Sequence, residues 1–592
     1  MNILLLLVIG GICFWVGYRV YAMYVSRQMG VVDEAPTPAV RQTDGKDYVP
    51  TKTSVIFAHH YATIAGVGPI VGPTLAVVCG ILPAVFWVIL GGILFGAVHD
   101  FASLFVSTRQ RGESMAAVTR STLGNAGFYL FILFTIVMII LVTSAFLSLT
   151  AISLTSRPLL SELGLDTTQT ILRTQETVQG TVGVIGGIAS TSVIIITLMA
   201  PLLGYLLYKR GISTTLGYMV AAAVAMAAVL VGIRAPLTLD PTVWMVILSI
   251  YVMFAATIPV WVILQPRDFI NSQILYLGLA ALFFGTIIGG LKGISLGGVG
   301  QIPLLDVSQG VEKIGWIWPM LFIFIACGAI SGFHALVGGG TTGKQVSKER
   351  DTRRVGYGAM LLESVLALLV IIALGVGLSK GSYIHTVWPE GAAGNPILGF
   401  ALSVAGLMHS SFGLSMTLGS VLGILMVEGF AVTTLDSAVR LNCYLFEELW
   451  RGMSKNPAAI FKNRVFNASI SVVVMFYLAY SQSYKAVWPI FGAANQLLAA
   501  LTLISVSVWL FVRGLKSWYT IVPAAFMTVT TIASLIYKLF QEYLPKGMWT
   551  VVVVDILLLM LSIALIMLVA GKARQLVAVR RKATAGVAAE LA

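Results

Sequence analysis

Charge is what this 592-residue chain lacks most: Asp, Glu, Lys and Arg make up 10% of it, against 58% hydrophobic residues and a mean hydropathy of +0.93. A soluble domain carries about a quarter of its residues charged, so the scarcity excludes a soluble globule and makes this a polytopic membrane protein. Cysteine is nearly absent as well. Cys13, Cys79, Cys327 and Cys443 lie in or beside apolar runs with no C-x-x-C spacing, which excludes a disulfide framework and a zinc finger. The six histidines show no H-x-x-H or H-x-x-x-H spacing and are too scattered for a His-box di-iron site. GGGTTGKQ at 338–345 has the outline of a phosphate-binding Walker loop, but Gln345 stands where magnesium needs Ser or Thr and no strand precedes it. No internal repeat of short period, soluble domain or low-complexity linker interrupts the apolar runs. No positive segment precedes the first run either. Arg19 and Arg27 follow it, the reverse of a cleaved signal peptide.

What remains is a series of membrane spans. A hydrocarbon core of about 30 Å needs roughly 20 apolar residues in a helix. Runs of that kind are legible at 2–25, 54–80, 82–108, 126–155, 183–208, 213–233, 241–264, 272–291, 316–343, 356–379, 464–482, 486–512, 518–540 and 548–570. Counting 396–450 as one net crossing gives about 15 transmembrane helices. Alternating the loops then puts roughly 28 Lys and Arg on one side and about 9 on the other, which orients the N-terminus outside and the C-terminus in the cytoplasm. The expected organisation is an N-terminal span and cytoplasmic loop at 1–52, a core of spans at 53–431, and C-terminal spans with a basic cytoplasmic tail at 432–592.

The stretch 53–109 is the centre of the chain. It crosses twice, yet carries His59, His60, His99 and Asp100 inside the crossings, where ionisable groups are costly and point to function. Its first crossing contains Ala65-Gly66-Val67-Gly68-Pro69-Ile70-Val71-Gly72-Pro73, whose prolines and glycines cannot hold a continuous helix. Irregular backbone at membrane depth survives only inside protein or along a cavity, so a discontinuous helix is expected here. A second interruption is read at Ala255-Ala256-Thr257-Ile258-Pro259. Paired interruptions point to an inverted-repeat transporter with its site at the midplane. His59 and His60 project about 100° apart on a helix and cannot both face one small site. Asp436 and Arg440, one turn apart, are expected to form an ion pair. Glu363 stands alone in its span as a further proton-coupling residue, and Glu428, Asn495, Gln496 and Asp555 are the other buried polar groups of note.

FAHHYATIAGVGPIVGPTLA and GAVHDFASLFVSTRQRGESM, followed in order by SGFHALVGGGTTGK, GYGAMLLES, TTLDSAVR and FGAANQLLA, closely resemble the carbon starvation protein A family. The resemblance runs from about residue 50 to 510 and implies a leucine-transporter-like 5+5 inverted repeat with discontinuous helices. It implies uptake of pyruvate or short peptides when carbon is scarce. On this reading the protein is a symporter in the cytoplasmic (inner) membrane, in contact with the lipid bilayer and with no nucleic-acid partner. Gly66, Gly68, Pro69, Gly72 and His334 are the expected substrate contacts. His59, His60, His99, Asp100 and Glu363 are the expected proton relay, and Ala65, Thr341 and Thr342 the alternative ion site. No cofactor or metal is expected beyond a coupling proton or sodium ion. The competing readings are an intramembrane metalloenzyme using His59, His60, His99 and Asp100, and a nutrient sensor that does not transport.

Overall fold

A computed structural model describes residues 1–590 except 45–47, 166–168, 170–171, 178–179, 260–261, 392–393 and 455. The side chains of Arg580, Arg581 and Lys582 in the basic tail lie outside the described residues. The long helices are α1 (Ile3–Gln28), α2 (Thr53–Ile64), α3 (Gly68–Ala76), α4 (Ile81–Arg109), α5 (Met115–Ser153), α6 (Ile185–Leu207), α7 (Thr214–Arg234), α8 (Pro241–Thr257) and α9 (Leu264–Leu291). After them come α10 (Ile317–Phe324), α11 (Phe333–Gly340), α12 (Arg353–Gly377), α13 (Pro396–Phe412), α14 (Met416–Met453), α15 (Arg464–Ser481), α16 (Tyr484–Val512), α17 (Trp518–Tyr543) and α18 (Trp549–Gln575). Among the described residues 12 helices are long and apolar enough to cross a membrane, or 13 when α2 and α3, bent by 48° at their break, count as one span. The fold is all-α and polytopic. A small antiparallel hairpin, β1 (Thr174–Thr177) with β2 (Gly180–Gly183), sits in the loop between α5 and α6.

Two spans are broken, and they cross each other. The first breaks at 65–67, where Ala65 leaves the helical region (φ −73°, ψ 74°) and α3 restarts with Pro69 in its first turn, a position where a missing N–H costs nothing. The second is the run 316–343, which splits into α10 and α11 around a non-helical stretch of turns at 325–332. α3 packs on α10 and α2 on α11, so the first half of each span lies beside the second half of the other. The two spans are therefore antiparallel, as an inverted repeat requires. The expected partner interruption at 255–259 is instead the end of α8: the helix stops at Thr257, and Arg440 donates to the carbonyls of Ala255 (2.6 Å) and Ile258. The true partner was hidden in sequence because 325–332 lacks proline and reads as continuous with its apolar flanks.

The region 380–453 makes one net crossing. Ser379 bridges Gln301, Lys380 binds Asp306 at 2.6 Å, and Lys292 donates to the Ser411 carbonyl at 2.8 Å, so both ends of the 380–411 excursion lie at one end of the bundle. α13 rises antiparallel against α14, with Gly419 and Gly423 closing on Ala405 and Ala401. The expected domain boundary at 431/432 falls inside α14, a continuous helix, and α16 beyond it packs on α5 and α11. The boundary therefore does not exist; the C-terminal helices are built into the core. At 52/53 the boundary coincides with the start of α2.

At the opposite end, residues 30–44 and 48–53 form a strap across the loop 344–352. Thr37 donates to the buried Val346 carbonyl, Thr51 pairs with Val346, and the Val32 amide donates to Glu349 at 2.7 Å. Glu34 takes both Lys348 and Arg350 at 2.7 Å, and the hydrogen bond from Lys348, with the charge of Arg350, holds its carboxyl below the usual range.

Glycine is required where the broken spans meet. A Cβ on Gly72 would lie 2.7 Å from the Phe324 carbonyl oxygen, whereas one on Gly66 would meet only the Thr434 hydroxyl at 3.4 Å. Gly72→Ala is therefore expected to lose about 1–3 kcal/mol of stability through overpacking, and Gly66→Ala much less. Thermal unfolding of the two purified variants in detergent checks the order, and equal losses would show that the crossing is not tight.

Candidate functional site

Where α2, α4, α11 and α12 come together, four titratable side chains form one buried chain. His99 and Asp100 sit one turn after a π-helical bulge at Gly92–Gly96 in α4. Gly96 faces the Ala329 carbonyl and Gly356 faces the Asp100 carbonyl, so the missing side chains let α4 approach both the second break and α12. His99 Nδ1 lies 2.7 Å from Asp100 Oδ1, and His334 Nδ1 lies 2.7 Å from Asp100 Oδ2. His334 Nε2 in turn faces Glu363 Oε2 at 3.2 Å, within ion-pair range but outside hydrogen-bond geometry. None of the four is more than 2% exposed. His60 joins from α2, with Nδ1 2.9 Å from the Thr342 hydroxyl and its Nε2 unpartnered.

A charge this deep is costly unless paired, and here one imidazole stands between two carboxylates. A proton held on His334 is balanced by Asp100 or by Glu363. Moving it along the chain changes the hydrogen bonds but not the buried net charge, whereas adding or removing one changes that charge by a unit. The arrangement can therefore load and release a proton only if the surroundings change with it.

The two breaks differ in how their backbone is satisfied. Around the second, Gln496 Nε2 donates to the Phe322 carbonyl (2.6 Å), Trp488 Nε1 to Phe324 (3.1 Å), Trp87 Nε1 to Ile325 (3.0 Å) and Ser364 Oγ to Gly328 (2.8 Å). Asn495 Oδ1 accepts the Phe333 amide at 3.1 Å. At the first break no protein donor reaches the carbonyls of Ala65 and Gly66 among the described residues, and the Thr434 hydroxyl of α14 lies beside Gly66. In the first turn of α3 the amides of Ile70 and Val71 close on the Val67 carbonyl and position 69 is proline, which leaves the Gly68 amide.

The sequence-predicted residues divide accordingly. His60, His99, Asp100 and Glu363 converge. His59 is exposed on another side of α2 and joins nothing in the site. His334, expected to contact substrate, has both ring nitrogens turned to carboxylates and belongs to the titratable chain. Gly68, Pro69 and Gly72 are buried against Cys327, Gly328 and Phe324 and serve the crossing of the breaks; Gly66 alone of the expected glycine and proline contacts is partly open. Thr342 is held by His60, and Thr341 is exposed. Asp436 does not pair with Arg440: it accepts from Tyr251 (2.9 Å) and binds the fully buried Arg267 (2.9 Å), which needs a counter-charge more than a solvated arginine does. Glu428 accepts from Ser153, and both stand apart from the chain. Trp87, Trp488 and Arg267 were missed because nothing local in the sequence marks a side chain whose partner is a distant carbonyl or carboxylate.

The family profile described as "Carbon starvation protein CstA" matches residues 2–395 and 386–534. The chain belongs to that family. Relatives of this CstA-family chain include the "Peptide transporter CstA" of Campylobacter jejuni subsp. jejuni, 30% identical over 90% of this chain and 80% of its own length. The "Pyruvate/proton symporter BtsT" of Escherichia coli is 29% identical over 89% of this chain and 80% of its own length. Among solved structures, that of MhsT in complex with L-phenylalanine aligns with 82% of this chain and 98% of its own, at 13% identity and a TM-score of 0.47.

Removing one partner of a buried pair leaves the other charge uncompensated. Asp100→Asn is expected to cost about 3–5 kcal/mol of stability, and His99→Gln, which leaves the Asp100–His334 pair in place, clearly less. Equal melting temperatures for wild type and Asp100→Asn would remove Asp100 from the centre of the chain.

Proposed function

We propose that this CstA-family transporter is a proton symporter that imports a small carboxylated nutrient, pyruvate or a short peptide, across the cytoplasmic membrane. One observation carries the reading: His99, Asp100, His334 and Glu363 form a continuous buried chain against the crossing of two antiparallel broken helices. Broken helices of this kind bind at the midplane and move as one half rocks against the other. The chain supplies imidazole and carboxylate groups able to take up and release a proton, and the free carbonyls of Ala65 and Gly66 offer acceptors to a cation or an ammonium group. The positive end of α3, through the Gly68 amide, favours a carboxylate. The names of the relatives support a transporter that takes peptide or pyruvate with a proton. Neither the metalloenzyme nor the sensor gains support from them. Among the described residues no group of three or more His, Cys, Asp or Glu is arranged to hold a metal ion.

The strap end of the bundle faces the cytoplasm in this proposal. With one net crossing in 380–453, roughly 28 of the 37 Lys and Arg fall at that end or on segments leading to it. Cysteine labelling in intact cells is expected to reach Ser308→Cys and to leave Lys348→Cys protected; the reverse pattern would invert the orientation.

Uptake of labelled pyruvate and dipeptides into proteoliposomes tests the coupling. Accumulation is expected under an inward proton gradient without sodium, with a rate that rises as the outer pH falls from about 8 to 6, since the outward-facing chain must be loaded before it moves. Asp100→Asn and Glu363→Gln should abolish accumulation while sparing exchange of labelled substrate, which need move no net proton. His59→Gln should behave as wild type. Accumulation that requires sodium and survives a proton ionophore at fixed membrane potential would overturn proton coupling.

A further inference from the structure

Two cavities lie under the strap, and they differ in how their basic residues are paired. One, of about 280 Å³, is lined by Lys52, Lys348, Arg350, Arg354 and Asp351, but Glu34 takes Lys348 and Arg350, and Asp351 takes Arg354. The other, of about 300 Å³, lies between the strap and the turn after α4, with Arg41, Arg109 and Arg111 in its wall. Its one carboxylate, Glu349, is held by Arg109 through a bidentate pair, the second contact at 2.8 Å. Arg41 and Arg111 have no partner among the described residues. Three guanidiniums against one carboxylate leave two positive charges facing a partly open cleft.

Two further observations mark this spot. Arg111 is the one non-glycine among the described residues with a left-handed backbone (φ 58°), a conformation that costs energy and recurs at binding sites. Tyr48 of the strap donates to the Arg111 carbonyl at 2.9 Å and helps hold that turn. Arg513 approaches from the end of α16, and burial, followed by the charge of Arg109, pushes its guanidinium below its ordinary value. The positive field is thus shared by three separate segments and is not compensated by them.

We infer that the cavity formed by Arg41, Arg109 and Arg111 binds a phosphate group and, by bridging the strap to the α4–α5 turn, holds this end of the transporter closed. The fork of a guanidinium matches a phosphate in bidentate geometry, and a low-dielectric wall focuses the field into the cavity. The shared chemistry is a phosphate, either a free cytosolic anion or the headgroup of an anionic lipid at the membrane edge. The site is distinct from the titratable chain, and its occupancy can be read without transport.

The full-length protein in detergent, stripped of anionic lipid, would be titrated with inorganic phosphate at constant ionic strength while its melting temperature and heat of binding are followed. A saturable rise in melting temperature is expected for wild type. Arg41→Gln and Arg111→Asn, the latter chosen because asparagine accepts the left-handed backbone, should each weaken binding roughly tenfold, and together abolish it. Both residues are exposed, so monodisperse variants are expected; Lys348→Gln in the first cavity, where Glu34 holds the lysine, should bind phosphate as wild type does. If free phosphate has no effect but nanodiscs of phosphatidylglycerol stabilise wild type over the double variant, and phosphatidylcholine does not, the phosphate is a lipid headgroup. The inference fails if neither phosphate source distinguishes wild type from the double variant.

Discussion

Backbone that leaves the helix at mid-membrane must find hydrogen bonds inside the protein, because the bilayer core supplies none. Much of this structure follows from how that demand is met at 325–332. Trp87 from α4, Ser364 from α12, and Trp488, Asn495 and Gln496 from α16 each give a side-chain partner to that segment or its flanks. Three helices are thereby fixed around one break. An unmet buried carbonyl would cost about 1–3 kcal/mol, so the brace is worth more than any surface ion pair in the molecule.

The titratable chain depends on this brace. His334 is the second residue of α11, just past the non-helical stretch, and its ring reaches both Asp100 and Glu363 only because that stretch is pinned against α4 and α12. The opposite treatment of the first break fits the same logic. Its Ala65 and Gly66 carbonyls are left without protein donors, and the helix α2 below it carries His60 to Thr342 at the end of α11. One break is held still and the other is left with open groups, and the buried titratable side chains lie between them.

The strap closes the end of the bundle nearest to Thr342. It is fastened by polar contacts on charged loops, not by a packed core, so it can open without dismantling the helices. Asp436 and Arg267 tie α14 to α9 on the same side, with Tyr251 of α8 as a third member. These contacts are specific, and the buried pair in particular costs desolvation that hydrophobic packing would avoid, which marks it as an orienting device.

The sequence by itself determined a polytopic helical protein, the break that starts at Ala65 and the presence of His60, His99, Asp100 and Glu363 inside apolar spans, but it left open how many times 396–450 crosses. Each of these rests on local quantities: apolar run length, proline and glycine spacing, and the cost of a charge in hydrocarbon. Only the tertiary structure decided that the partner break lies at 325–332 and not at 255–259, since a break without proline is stabilised entirely by side chains from other helices. The same reason governs the residues whose roles changed. His334 belongs with the carboxylates because two distant helices bring them to its two nitrogens. Gly68 and Gly72 serve the crossing because the second break lies on top of them. Asp436 prefers Arg267 to its helical neighbour Arg440 because Arg267 is buried and has no solvent to turn to. Sequence spacing specifies which groups can share a helix face, but the choice of partner across helices is made by burial and long-range packing.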